Sequence, residues 1–226
     1  MTEVVELAVE VVSAVLCFAL VKFMYKPFGL TREGRYLGLP LGFAFLGISE
    51  ILLSIGIMPS FEQFRFLSLL TRTFAYVFLA ATYYFSKQPA KNSRLIWDVV
   101  LSSIVVALTT STLLFIRSSE LGQTIPTNLS VALRMLSLIC VSYMCVHTLR
   151  SHIRSPEPST LWIPMGFVLL GISLYSLIIW AAEETPAMGY AFVGGIVARL
   201  AGLSVFVAVS WSSFYKNGRA NAEDSA

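Results

Sequence analysis

Seven apolar stretches, each 20 or more residues long, constrain this chain more than any other feature. They run over 4–25, 36–57, 64–86, 95–117, 128–149, 160–182 and 188–215, and each is bounded by charge, proline or glycine. About 20 apolar residues in a helix cross the hydrocarbon core of a bilayer. In lipid a backbone must satisfy its own N–H and C=O groups, so such a run becomes a helix. Strand alternation is missing from the sequence, which argues against a β-barrel. The expected fold is all-α: a seven-transmembrane-helix bundle forming a single integral membrane domain over 1–226, with a flexible polar tail at 217–226. Only short loops remain outside the stretches, and a soluble domain of the usual minimum of about 50 residues has no room.

Composition supports this class. Hydrophobic residues make up 56% of the chain and charged residues 13%, too apolar a balance for a soluble or disordered protein. A net charge of +3 is too small to indicate a nucleic-acid partner. Cys17, Cys140 and Cys145 all fall inside apolar stretches with no CxxC pair, and read as small buried residues.

Lysine and arginine placement predicts orientation. Lys22, Lys26, Arg32, Arg35, Lys87, Lys91, Arg94, Arg150, Arg154, Lys216 and Arg219 fall on one side. The other side holds Glu3, Glu62, Glu120, Glu183 and Glu184, with Arg65 and Arg117 as its basic residues. Eleven basic residues against two put the N-terminus outside and the C-terminus in the cytoplasm, in a multi-pass protein of the cell membrane. Glu3 and Glu6 stand where a secretory signal would carry basic residues, so the first stretch is expected to be retained.

The chain also resembles itself. Pro40 to Ser49 reads PLGFAFLGIS and Pro164 to Ser173 reads PMGFVLLGIS, identical at seven of ten positions and offset by 124. The same offset places Ala8 on Ala132, Glu10 on Arg134 and Ser13 on Ser137; an offset of 127 places Arg72 on Arg199. The expectation is a parallel 3+1+3 internal repeat, with the first three helices (4–86) repeated as the last three (128–215) and 95–117 as connector. Gly42, Gly47, Gly166 and Gly171 then serve close helix packing, and Pro40 and Pro164 sit in first turns, where a missing N–H costs little.

Five ionisable residues lie deep within the stretches: Glu10, Glu50, Arg72, Arg134 and Arg199. Each costs several kcal/mol in lipid unless it faces a partner or the bundle interior. All five lie toward the predicted outer ends, which implies one polar layer or cavity opening outward. Helical spacing gives each a polar stripe: Glu3, Glu6, Glu10 and Ser13; Glu50 and Ser54; Arg65, Ser68, Arg72 and Tyr76; Ser130, Arg134 and Ser137; Gly195, Arg199 and Gly202. Asp98, Ser102 and Thr109 belong to the fourth stretch. The small neighbours of Arg199 leave room for its guanidinium or for a ligand. Two readings stand side by side. One is structural ion pairing, Glu50 with Arg72 and Glu10 with Arg134 or Arg199. The other is a ligand site formed by Arg72, Arg134, Arg199, Glu10, Glu50 and Tyr76, whose one surplus positive charge suits a small anionic ligand.

Other chemistry finds little support in the residues. The chain resembles the retinal opsins in outline, but a retinal Schiff base needs a lysine in the seventh helix, where this chain has Arg199. His147 and His152 flank the fifth loop and lack matched ligands for a metal or haem, so no metal or cofactor is expected. There is no GxSxG motif, and enzyme activity is not expected. The 3+1+3 plan resembles that of SWEET and PQ-loop transporters, although Pro40 is followed by Leu41 and Pro164 by Met165 instead of glutamine. Length and topology resemble the seven-helix sensor modules that precede microbial histidine kinases. The expected function is therefore receptor-like or sensory: an anionic ligand in an outward cavity, with a signal passed to a cytoplasmic partner. The alternatives are a small-solute transporter and a structural membrane subunit.

Overall fold

The computed structural model describes residues 2–31, 38–57, 63–85, 127–154, 161–182 and 188–213. These form α1 (Thr2–Thr31), α2 (Gly38–Gly56), α3 (Gln63–Phe85), α4 (Thr127–Arg154), α5 (Trp162–Ala182) and α6 (Met188–Trp211). All six are long and apolar enough to span a membrane, as in a multi-pass membrane protein. The stretch 95–117, with Asp98, Ser102 and Thr109, lies outside the described residues, as do Glu62, Glu120, Glu183, Glu184 and the tail.

The apolar stretches dictate the helices, and local chemistry shapes their ends. Pro40 and Pro164 each occupy the third helical position, where no N–H is required. Two helices run past their expected ends. α1 continues to Thr31, and α4 to Arg154. The second extension brings His152 onto the helix. His147 is on α4, half-buried, with its ring 5.7 Å from that of Tyr83 and 5.9 Å from that of Tyr143.

Successive helices pack as antiparallel neighbours, α1 on α2, α2 on α3, α4 on α5 and α5 on α6. Glycines set the close approaches. A Cβ on Gly42 would run into the Leu79 side chain, and one on Gly166 would meet the Phe206 ring at 2.7 Å. Gly47 faces Phe18 and Cys17, and Gly171 faces Val141. Two further contacts close the bundle, α3 on α4 and α6 on α1. Both are parallel. Ser137 donates to Thr73 Oγ1 at 3.2 Å while Tyr83, further along α3, meets His147, further along α4. Glu10 meets Arg199 while Phe23 meets Trp211 at 5.6 Å.

Every helix contributes to one apolar layer. Cys17, Leu20, Phe43, Leu79, Met144 and Phe167 are almost wholly buried there. Phe206 lies 4.8 Å from Phe167 and 5.8 Å from Phe43 at its centre. Large apolar side chains also cover the outside, among them Val15, Ile139 and Val197. A surface apolar on both sides of each helix is what lipid, and not water, accommodates.

Candidate functional site

Next to the apolar layer lies a layer of charge. Glu10 on α1, Glu50 on α2, Arg72 on α3 and Arg199 on α6 are all more than nine-tenths buried. Glu50 Oε2 accepts hydrogen bonds from Arg72 Nη2 at 2.7 Å and from Arg199 Nη1 at 3.1 Å. Arg199 Nη2 donates to Glu10 Oε1 at 2.7 Å. Glu10 Oε2 stands 4.0 Å from Arg72 Nη2. Two carboxylates and two guanidinium groups thus form a self-neutral cluster that ties four helices together. A buried ion that lost its partner would cost several kcal/mol, so the cluster holds only as a set.

The expected Glu50–Arg72 pair is present, and Arg199, not Arg134, takes Glu10. Packing makes the choice: α1 lies against α6, whereas α4 lies between α3 and α5. Arg134 instead reaches across to α5, where Nη1 donates to the Leu177 carbonyl at 2.8 Å. Among the described residues no carboxylate lies within 4.0 Å of it. Arg134 is the surplus cation of the layer.

Above the cluster is a cavity of about 420 Å³. Glu10, Arg72, Ser137, Ser173 and Arg199 form its floor. Arg134, Ser130 and Ser68 stand on the walls, and Leu53, Phe66, Leu69, Leu174, Leu177 and Ile196 supply the apolar part. Glu6, Arg65, Trp180 and Phe192 stand at the end of the bundle where α1, α3, α4 and α6 begin. Trp180 and Phe192 pack with ring centroids 5.1 Å apart. Arg65 is held through its Nε, which donates to the Gly56 carbonyl at 2.8 Å.

Several buried polar atoms at this level lack a partner among the described residues: the Nε atoms of Arg72, Arg134 and Arg199, Glu10 Oε2 and Ser13 Oγ. Buried polar groups are nearly always hydrogen-bonded. Four of these five atoms belong to residues that line the cavity.

Of the six site residues expected from the sequence, Arg72, Arg134, Arg199 and Glu10 line the cavity, Glu50 lies beneath it, and Tyr76 does not reach it. Tyr76 follows Arg72 by one turn, which carries it below the charged layer into the apolar core, where it is 4% exposed. The small residues beside Arg199 do not leave ligand space either. A Cβ on Gly202 would meet the Gly166 carbonyl at 3.0 Å, and one on Gly195 would meet Ser176 at 3.2 Å, so α5 fills the room they provide. The cavity adds residues that sequence reasoning passed over: Ser173, Trp180 and Phe192, and the Leu177 carbonyl that holds Arg134. Ser173 ends the repeated PMGFVLLGIS segment and could have been picked out there. Aromatic residues among so many apolar neighbours carry no such signal. Among the described residues no group of three His, Cys, Asp or Glu could hold a metal ion.

The fold and site define a multi-pass helical protein with a charged layer under an arginine-bearing cavity. No family model, no curated protein and no solved structure matches the chain.

Proposed function

We propose that this chain is a seven-helix protein of the cell membrane, receptor-like or sensory in type, that binds a small anionic ligand in an outward-facing cavity and passes a helix shift to a cytoplasmic partner. The observation that carries the ligand is Arg134: a guanidinium on the wall of a cavity of about 420 Å³, held by a carbonyl and without a carboxylate among the described residues. Its neighbours Arg72 and Arg199 are already neutralised by Glu10 and Glu50. An anion would complete the charge balance of the layer. It would also compete for Arg199, which ties α6 to α1 and α2. That differential contact is what a ligand-driven shift requires.

Two observations support the finer topology. α3 and α4 run parallel, which fits the expected crossing by the apolar stretch 95–117. The glycine contacts keep the register of the repeat. Gly42 on Leu79 and Gly166 on Phe206 correspond at the offsets of 124 and 127 found in the sequence, as do Gly47 on Cys17 and Gly171 on Val141 at 124. The lysine and arginine distribution places the cavity mouth outside.

The same paired packing favours a second reading, a transporter whose halves rock about the cavity. Against it stands the apolar layer around Phe206, which closes the floor. Mass spectrometry of small molecules that co-purify with the protein, together with melting curves in a panel of anions, tests the ligand. A stoichiometric anion held by the wild type and lost in Arg134→Gln supports the receptor reading. No bound molecule and no stabilisation by any anion would return the cluster to a purely structural role. Uptake of a bound anion into proteoliposomes would favour transport.

A further inference from the structure

The cavity says more than that its ligand is negative. We propose that the ligand is an organic monoanion with an apolar body, its acid group seated on Arg134 and its body against Trp180 and Phe192; this rests on the anion reading above and specifies it.

The charge comes first. Arg72 and Arg199 are matched one for one by Glu10 and Glu50. Glu6 and Arg65 at the mouth offset each other, and Arg134 leaves a surplus of one, which a monoanion closes and a dianion overshoots.

The geometry of Arg134 fits an acid group. Nη1 is committed to the Leu177 carbonyl, and that bond fixes the guanidinium across the gap between α4 and α5. The opposite edge, carrying Nε and Nη2, makes no hydrogen bond among the described residues, and Nε is buried. Nη2, which is not buried, is the N–H donor that an acid oxygen in the cavity can meet. The bond to Leu177 orients the guanidinium in advance, so less rotamer entropy remains to be lost on binding.

The remaining wall calls for an apolar body. Beyond the charged residues and four serines it is formed by apolar side chains, among them Phe66, Leu69, Leu174 and Ile196, with the packed Trp180 and Phe192 toward the mouth. A volume of about 420 Å³ lies within the range of roughly 300–1,000 Å³ typical of small-molecule pockets. It is far larger than a simple inorganic anion or acetate fills. An apolar chain or ring attached to the acid would displace water from these walls, which is the favourable term.

The test uses the full chain in lipid nanodiscs, with binding read by calorimetry and by melting temperature. Acetate, hexanoate, hexanol, hexylamine and nitrate are the probes. Hexanoate is expected to bind at least tenfold more tightly than any of the others. Arg134→Gln is expected to lose tenfold or more of hexanoate affinity, and Arg134→Lys to retain part of it. Elution profile and melting temperature without ligand check that both variants are folded. Trp180→Ala is expected to bring hexanoate and acetate closer together. Equal binding of acetate or nitrate and hexanoate overturns the apolar body and leaves the anion reading intact. Equal binding of hexanol or hexylamine overturns both, and so does a failure of every anion to bind. Hexanoate binding unchanged in Arg134→Gln overturns the assigned seat. A carboxylate could arrive from water or from the bilayer. Competition by oleate placed in the nanodisc would extend the class to lipid acids, and its absence would confine it to acids that enter from water.

Discussion

Arg199 Nη1 donates to Glu50 Oε2 at 3.1 Å, joining residues 149 positions apart in the chain. Through its other terminal nitrogen Arg199 also holds Glu10. One side chain on α6 therefore anchors both carboxylates of the layer, whereas Arg72 makes its one close contact with Glu50.

Loss of these arginines should be felt in that order. Arg199→Gln leaves Glu10 without its hydrogen-bonded cation and is expected to destabilise by about 3–5 kcal/mol, the cost of breaking a buried pair. Arg72→Gln leaves Glu50 with Arg199 and should cost less. Thermal aggregation of the purified protein, scored side by side, checks the ranking; an Arg72 variant less stable than the Arg199 variant would contradict it.

Arg134→Gln is a different kind of change. It removes one charge-assisted bond to a helical carbonyl and strands no carboxylate among the described residues. Stability should fall by about 1.5–3 kcal/mol at most, the range for hydrogen bonds to charged groups. Anion binding should fall much further. Melting temperature and anion affinity measured on the same preparation should thus separate in this variant and move together in Arg199→Gln.

Glycine substitutions should sort by what their Cβ would meet. Gly166→Ala pushes a methyl toward the Phe206 ring, which is itself packed against Phe167, and overpacking of this kind costs about 1–3 kcal/mol. Combining it with Phe206→Leu should recover part of the loss. Gly194→Ala meets nothing within 4 Å among the described residues, and alanine is the better helix former by about 1 kcal/mol, so this variant should be neutral or more stable. Melting curves of the three variants decide the matter. Gly194→Ala as damaging as Gly166→Ala would show that the α5–α6 contact is not what limits the site.

The parallel course of α3 and α4 predicts sidedness. In a cysteine-free background, single cysteines at Ser86 and Gln123 should be labelled by a membrane-impermeant maleimide from opposite faces of oriented vesicles. Labelling of both from one face would remove the case for a crossing at 95–117.

The membrane class was legible in the sequence because it depends on local quantities. The length and apolarity of a run suffice to make a helix that lipid accepts, and six of the runs are such helices in the structure. The ionisable residues were legible for the same reason: a charge within such a run is conspicuous at any position. Which charges meet was not, because pairing depends on which helices are neighbours. Glu10 had two candidate partners by depth, and the contact of α1 with α6 chose Arg199. The same contact left Arg134 on the cavity wall. Helical spacing put Tyr76 on the polar stripe of Arg72, yet one further turn carries it into the apolar layer, since facing a bundle and facing its cavity are different at different depths. The glycines beside Arg199 read as space for its guanidinium or for a ligand, and α5 packs against them. Periodicity and charge, read along the chain, fixed what each helix is. The order in which the helices pack, which rests on contacts between residues far apart in sequence, decided what lies between them.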